Sequence, residues 1–199
     1  MEIATEATGG RPSARERILE TAYELFSRHG TRAVGVDRII AECGIAKMTL
    51  YRNFPSKDDL IVAFLEQREQ RWTRAWLQAE AQRRGSTPAE RLLAIFDTFA
   101  DWFGQEDFEG CSFINVMLEI DDCENPVRQA TVRHLADIRS FVSGLAEEAG
   151  VQDPDGFSRQ WHILMKGSIV SAAEGDLEAA ARAKQLGTLL LEHHGIPTG

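Results

Sequence analysis

No stretch of this chain approaches the roughly 20 consecutive apolar residues that a membrane-spanning helix needs. The first ten residues, MEIATEATGG, have neither a basic start nor an apolar centre, so no secretory signal is read there. A short mobile tail over residues 1–11 is the expectation. Cysteine is sparse: Cys43, Cys111 and Cys123 form an odd set without disulfide-framework spacing, and a reducing cytoplasm is the simplest setting. Cys111, Cys123, His134 and His162 lack the short spacings of metal ligands, so neither a metal nor another cofactor is expected. The chain has no phosphate-cradling glycine loop and no nucleophile motif. Ser168 and His162 fall on one expected helix but face different directions, which spoils them as a catalytic dyad. An enzyme is therefore the rival reading, and a helical module that binds only other proteins is a second. Sustained period-two alternation of β-branched residues is also missing, which leaves strands absent or minor.

An overall basic excess is missing too. The net charge is −9, which looks wrong for a nucleic-acid binder until its distribution is followed. Residues 1–57 hold nine Lys and Arg against seven Asp and Glu, whereas the remainder holds thirteen against twenty-four. Binding to DNA requires a basic face, not a basic chain. The acidic charge lies away from the amino-terminal end.

What the sequence has is helical punctuation, with an all-α fold as the expectation. Ile18, Ala22, Leu25 and Phe26 share one helix face from about Ser13 to His29, and Gly30 ends it. Val36, Ile39, Ile40 and Cys43 share a face of a short helix that Gly44 stops. Residues 47–53 form another short helix, closed by Pro55. Ser56 and Asp59 have capping-box spacing at the head of a long helix to about Arg84, with Trp72 and Trp76 on its stripe. Thr87-Pro88-Ala89-Glu90 is a stronger start, for a helix to about Gly104. A short helix over 111–120 follows. Asn125-Pro126 and Asp153-Pro154 open helices over 126–149 and 154–174, and a last one spans 177–194. The organisation read from this is a DNA-binding domain over 12–56 and a helical regulatory and dimerisation domain over 57–199.

Two short helices joined by a glycine turn have the helix-turn-helix pattern. Leu50 and Phe54 face its core, which turns Lys47, Met48, Thr49 and Arg52 outward near the start of the second helix, the end that enters a major groove. Lys47 suits a guanine edge or a phosphate, Thr49 a base or phosphate, and Met48 a thymine methyl. Tyr51 and Asn53 suit phosphate oxygens. Lys57 joins a positive side chain to a helix amino terminus, a good phosphate anchor. Arg38, with Arg11 and Arg15, is a weaker phosphate candidate.

These residues carry a resemblance. The run IAKMTLYRNFPSKDDL, with ILETAYELFSRHG before it, resembles the signature of the TetR family of bacterial regulators over residues 15–60. Gly44, Ile45, Thr49, Leu50, Tyr51, Asn53, Phe54, Ser56, Lys57 and Leu60 match position for position. Ala46 stands where a serine cap is usual, Met48 where glycine is common, and Gly35 where serine or threonine caps the preceding helix. The resemblance implies a homodimer paired through its last two helices, a double-stranded operator as partner, and a small-molecule effector in the helical second part. A repressor released from a near-palindromic operator by a largely apolar effector is the expected function.

In that second part the aromatic residues are core candidates singly and pocket candidates together. Phe96, Phe99, Trp102, Phe103, Phe113, Phe141, Trp161 and Met165 form the apolar set. Asn115, Glu119, His134 and His162 are the candidate orienting groups, with Glu119 a weak pull toward a cation. For the dimer seam, Gly167, Ser168, Ser171 and Ala172 supply a small-residue strip, and Leu186, Leu189 and Leu190 an apolar one.

Overall fold

A computed structural model describes residues 12–198, and all regular structure among them is helical. The expected tail and Arg11 lie outside the described residues. The elements are α1 (Ala14–Ala33), α2 (Val36–Cys43), α3 (Lys47–Asn53), α4 (Lys57–Arg68), a π-helical stretch (Glu69–Gln78), α5 (Ala79–Arg84), α6 (Pro88–Phe103), α7 (Ser112–Glu119), α8 (Pro126–Glu148), α9 (Pro154–Ala173) and α10 (Ala179–His193). They group into two compact units, the first ending at Phe64 and the second beginning at Leu65. That division falls inside α4, not at its first residue.

The first unit buries Ile18, Ala22 and Phe26 from α1, Ile39 from α2, and Leu50 and Phe54 around α3. The opening turns of α4 complete it with Leu60 and Phe64. The Phe64 ring meets Tyr23 and Phe26 edge-on, each at 5.5 Å between centroids. Two glycines shape the chain here. Gly30 (φ 75°, ψ 160°) breaks α1 one turn before its end. Gly44 takes the left-handed conformation at φ 65° and ψ 42°. Its N–H reaches Ala41 O while Ile45 N–H reaches Ile40 O, the paired closure of a left-handed helix end.

The caps follow the sequence. Ser56 and Asp59 bond reciprocally, as do Thr87 and Glu90. Asn125 and Asp153 each accept from backbone N–H groups of the first turn behind a proline. Gly35 and Ala46 provide no side-chain cap.

In the second unit α8 packs on α7 and α9, and α10 on α6 and α9. Its core holds Phe96, Phe99, Phe113, Phe157 and Trp161, each at most 1% exposed. Gly187 of α10 allows a close crossing: a Cβ there would lie 2.8 Å from the Trp161 ring and 3.1 Å from the Phe96 ring. Lys184 Nζ binds both Asp97 carboxylate oxygens, at 2.7 and 2.8 Å, linking α10 to α6. Glu80 accepts hydrogen bonds from Arg83 and Arg84, which hold its pKa down to about 2.

The long helix expected from residue 57 to 84 is continuous, but its middle is wound as a π-helix. Such winding is rare and frequent at functional sites. Here it places Glu69 and Arg74, five residues apart, in a 2.7 Å ion pair, with Glu69 buried. Thr73 and Leu77 are fully buried on the same stretch.

Candidate nucleic-acid interface and effector region

In the first unit, α3 is anchored by one residue and displays the rest. Leu50 is fully buried, while Lys47, Met48, Tyr51 and Arg52 are exposed and Thr49 and Asn53 are half-buried. Met48, at 74% exposure, is an apolar side chain held in solvent on a two-turn helix. Lys47 Nζ rests 3.5 Å from Asp37 Oδ1 of α2, with both side chains largely exposed. Exposed pairs of this kind contribute about 0–1 kcal/mol, so a phosphate or guanine can take the lysine over. Asn53 Nδ2 donates to Thr49 O at 2.8 Å, which spends one of its two amide hydrogens on its own helix. Lys57 is half-buried at the first position of α4.

The weaker candidates are more engaged. The Arg38 guanidinium bonds Glu42 and His29, both at 3.1 Å. Arg15 lies 4.8 Å over the Phe54 ring. Arg17, which sequence reasoning passed over, donates to Cys43 O at 2.9 Å and ties the end of α2 to α1. A shallow depression beside it is lined by Glu16, Glu20 and Glu42 and is too acidic to receive phosphate.

In the second unit the rings form one connected array. Phe96 contacts Phe99 and Trp161, at 6.3 and 5.2 Å between centroids. Phe99 contacts Trp102 and Phe103, and both of those contact Phe108. Trp72 enters from the π-helical stretch, 4.9 Å from Trp102 and 5.4 Å from Trp76. Phe113 pairs instead with His134 at 5.3 Å. Met165 is buried and Phe141 half-buried.

The polar candidates divide. His162 is 4% exposed, and its pKa is pushed down to about 3 by burial first and then by the charges of Lys166 and Arg139. His134 is lowered by burial, against the pull of Asp137 and Glu69. Asn115 is exposed and donates to Glu109 O at 3.2 Å, closing the loop before α7. Glu119 is half-buried. Cys43 and Cys111 are buried and Cys123 exposed; burial raises the Cys111 thiol and keeps it protonated. No group of three or more His, Cys, Asp or Glu suited to a metal occurs among the described residues. Likewise, no helix among them is long and apolar enough to cross a membrane.

Sequence reasoning placed Trp72 and Trp76 on a helix stripe but not with the pocket residues, and it missed Phe108 and Thr73. The four-residue Trp spacing was the available signal. The π winding that buries Thr73 left none.

Comparison with known proteins gives the same division of labour. The profile of "Bacterial regulatory proteins, tetR family" matches residues 18–64, and that of "Tetracyclin repressor-like, C-terminal domain" matches residues 88–187. The HTH-type transcriptional regulator YjdC of Escherichia coli is 22% identical over 175 residues, 84% of this chain and 90% of that protein. The crystal structure of SCO4454, a TetR-family transcriptional regulator from Streptomyces coelicolor, superposes with a TM-score of 0.81 at 31% identity. It covers 90% of this chain and 95% of its own. A TetR regulator from Streptomyces avermitilis gives 0.83, also at 31% identity, covering 94% of this chain and 100% of its own. The chain belongs to the TetR family: it is a DNA-binding transcriptional regulator with an amino-terminal helix-turn-helix and a helical carboxy-terminal domain, and not an enzyme.

Proposed function

We propose that this regulator is a cytoplasmic repressor. Its homodimer holds a near-palindromic operator and lets go when a small, largely apolar effector enters the second unit. The observation that supports the DNA-binding half most directly is α3, where a fully buried Leu50 holds exposed Lys47, Met48, Tyr51 and Arg52 on the outer face. Lys47 and Thr49 read base edges, Met48 meets a thymine methyl, and Tyr51, Arg52, Asn53 and Lys57 hold phosphates. Arg38 contributes only if DNA displaces it from Glu42 and His29. Replacement Lys57→Ala should weaken binding to all duplexes alike and flatten the dependence of log affinity on log salt by about one unit. A shift-assay series over salt checks this, and an unchanged slope removes Lys57 from the interface.

A single module buries little surface on DNA, so two are tied together with half-sites about one helical turn apart. Support for the seam comes from α9 and α10, where Ile163 (68%), Val170 (48%), Leu186 (52%) and Leu189 (59%) are exposed apolar side chains. The small-residue strip divides: Gly167 faces outward, but Ser168 and Ala172 are buried within the subunit. The seam therefore rests on the larger apolar residues. Leu186→Glu with Leu189→Glu should halve the mass seen by light scattering at micromolar concentration. A stable monomer without any substitution excludes the dimer.

The effector acts by preferring one arrangement of the second unit, since equal affinity for two states shifts neither. The helix that starts at Lys57 continues unbroken through the π-helical stretch to Arg84. A rearrangement in its middle therefore falls on the same helix as the DNA-anchoring Lys57. In the dimer, a change of a few ångströms between recognition helices spoils a spacing of about 34 Å.

A further inference from the structure

Two carboxylates of the first unit hold basic groups expected on its DNA face, and both stand on α2. Glu42 holds Arg38 across one turn of the same helix, at 3.1 Å. Pairs at that spacing are ordinary support for a helix. Asp37 holds Lys47 at 3.5 Å, and this pair is of a different kind. It joins the first turn of α2 to the first residue of α3. The Asp37 side chain is 89% exposed, so the pair adds little to the fold. A bare negative charge beside a lysine that meets DNA opposes binding to every duplex, because binding without regard to sequence comes from neutralised phosphates. Repulsive elements of that kind let an interface reject wrong partners. The right duplex must then offer Asp37 a donor.

The geometry says which donor. Lys47 Nζ has three N–H donors and no acceptor, and the Asp37 carboxylate only accepts. At 3.5 Å from each other they present a donor beside an acceptor. The major-groove edge of a G·C pair presents the complement: guanine O6 accepts, and the cytosine N4 amino group donates. Those two atoms are joined by a base-pair hydrogen bond and stand about 2.9 Å apart, a spacing that lets one pair face the other. A second Lys47 donor reaches guanine N7, so guanine need not displace Asp37. A T·A pair repeats the order through thymine O4 and adenine N6, but it puts a methyl group where guanine has N7. The two reversed pairs set an amino group against the ammonium and an oxygen against the carboxylate.

We propose that Asp37 and Lys47 together read one G·C base pair in each half-site, Lys47 donating to guanine O6 and N7 and Asp37 accepting from cytosine N4. This requires that the outer face of α3 meets the major groove, as under the proposed function, and it adds a second helix and a defined base pair to that reading. It makes Asp37 a specificity-determining residue: its charge weakens binding to duplexes at large and is compensated only where a cytosine amino group faces it.

Sites selected from random duplex DNA by the full-length protein supply the probe, and a scrambled duplex of the same composition is the control. The original protein should fix one G·C pair in each half-site. Asp37→Ala and Lys47→Ala should each relax that same position, although the two residues lie on different helices. Asp37→Ala should lose about tenfold in affinity for each half-site of the selected duplex, while binding the scrambled duplex more tightly than the original does. Asp37→Asn keeps the size and one accepting oxygen but not the charge. It should bind the scrambled duplex more tightly too, yet keep more of the G·C preference than Asp37→Ala. Circular dichroism checks that both variants retain their helix content. An Asp37→Ala protein that enriches the same sequence to the same degree overturns the proposal. So does relaxation at a position other than the one that Lys47→Ala relaxes, or a shared position that is not G·C. Each of these outcomes leaves α3 as a reader of DNA. Failure of the original protein to enrich any sequence removes that broader reading, and the base-pair assignment with it.

Discussion

Gly187→Leu should destabilise the second unit by about 3 kcal/mol, toward the upper end of the range for overpacking a core. Even a Cβ at this position comes within 2.8 Å of the Trp161 ring. That ring cannot swing away, because Trp161 is fully buried, stacked on Phe157 at 5.3 Å and tilted against Phe96 at 5.2 Å. Gly187→Ala is the informative companion. It gains about 1 kcal/mol of helix propensity, but its Cβ meets the same fixed ring at 2.8 Å, so it should also destabilise the protein, by less than leucine does. Chemical denaturation monitored by tryptophan fluorescence measures both. A Gly187→Leu protein as stable as the original would mean that α10 does not cross α6 and α9 this closely.

Acid should weaken the fold through His162. Burial and the nearby Lys166 and Arg139 charges hold this imidazole neutral down to about pH 3, whereas in an unfolded chain it protonates near 6.5. Above about pH 6.5 both states are neutral, and the histidine contributes no pH dependence. As the pH falls from there toward 3, the unfolded state gains a proton that the folded state refuses, so stability is lost progressively. The loss reaches about 3 kcal/mol by pH 4. His162→Phe keeps an apolar ring of similar size and removes the proton site. Its stability should fall less steeply over that interval, and the difference cancels the carboxylates that titrate at similar pH. Parallel stability curves for the two proteins would show that His162 is accessible to protons in the folded state.

Much of this molecule was legible because its local signals agree. Ser56 with Asp59, Thr87 with Glu90, Asn125 before Pro126 and Asp153 before Pro154 each mark a helix start by the hydrogen bonds they make. Gly44 marks the turn because only a residue tolerant of positive φ closes α2 this way. The face of α3 followed from Leu50 and Phe54, four residues apart, since fixing the buried side of a short helix fixes the others. What was not legible depends on tertiary context. The π winding of Glu69–Gln78 has no sequence period of its own and is settled by how its side chains pack. Asn115 looked like a buried orienting group because it sits on an apolar segment, but α7 turns it outward onto the Glu109 carbonyl. The serine and alanine of the small-residue strip read as a seam, yet Ser168 and Ala172 are consumed inside the subunit.

Reading of a specific duplex by the outer face of α3 is tested most directly by selection of binding sites from a library of random duplex DNA with the full-length protein, repeated with the double replacement Lys47→Ala and Tyr51→Ala. The original protein should enrich one near-palindromic sequence with half-sites about one helical turn apart. The double variant should lose that enrichment while keeping its helical content and mass. Failure of the original protein to enrich any sequence, or enrichment of the same motif to the same degree by the variant, would contradict it.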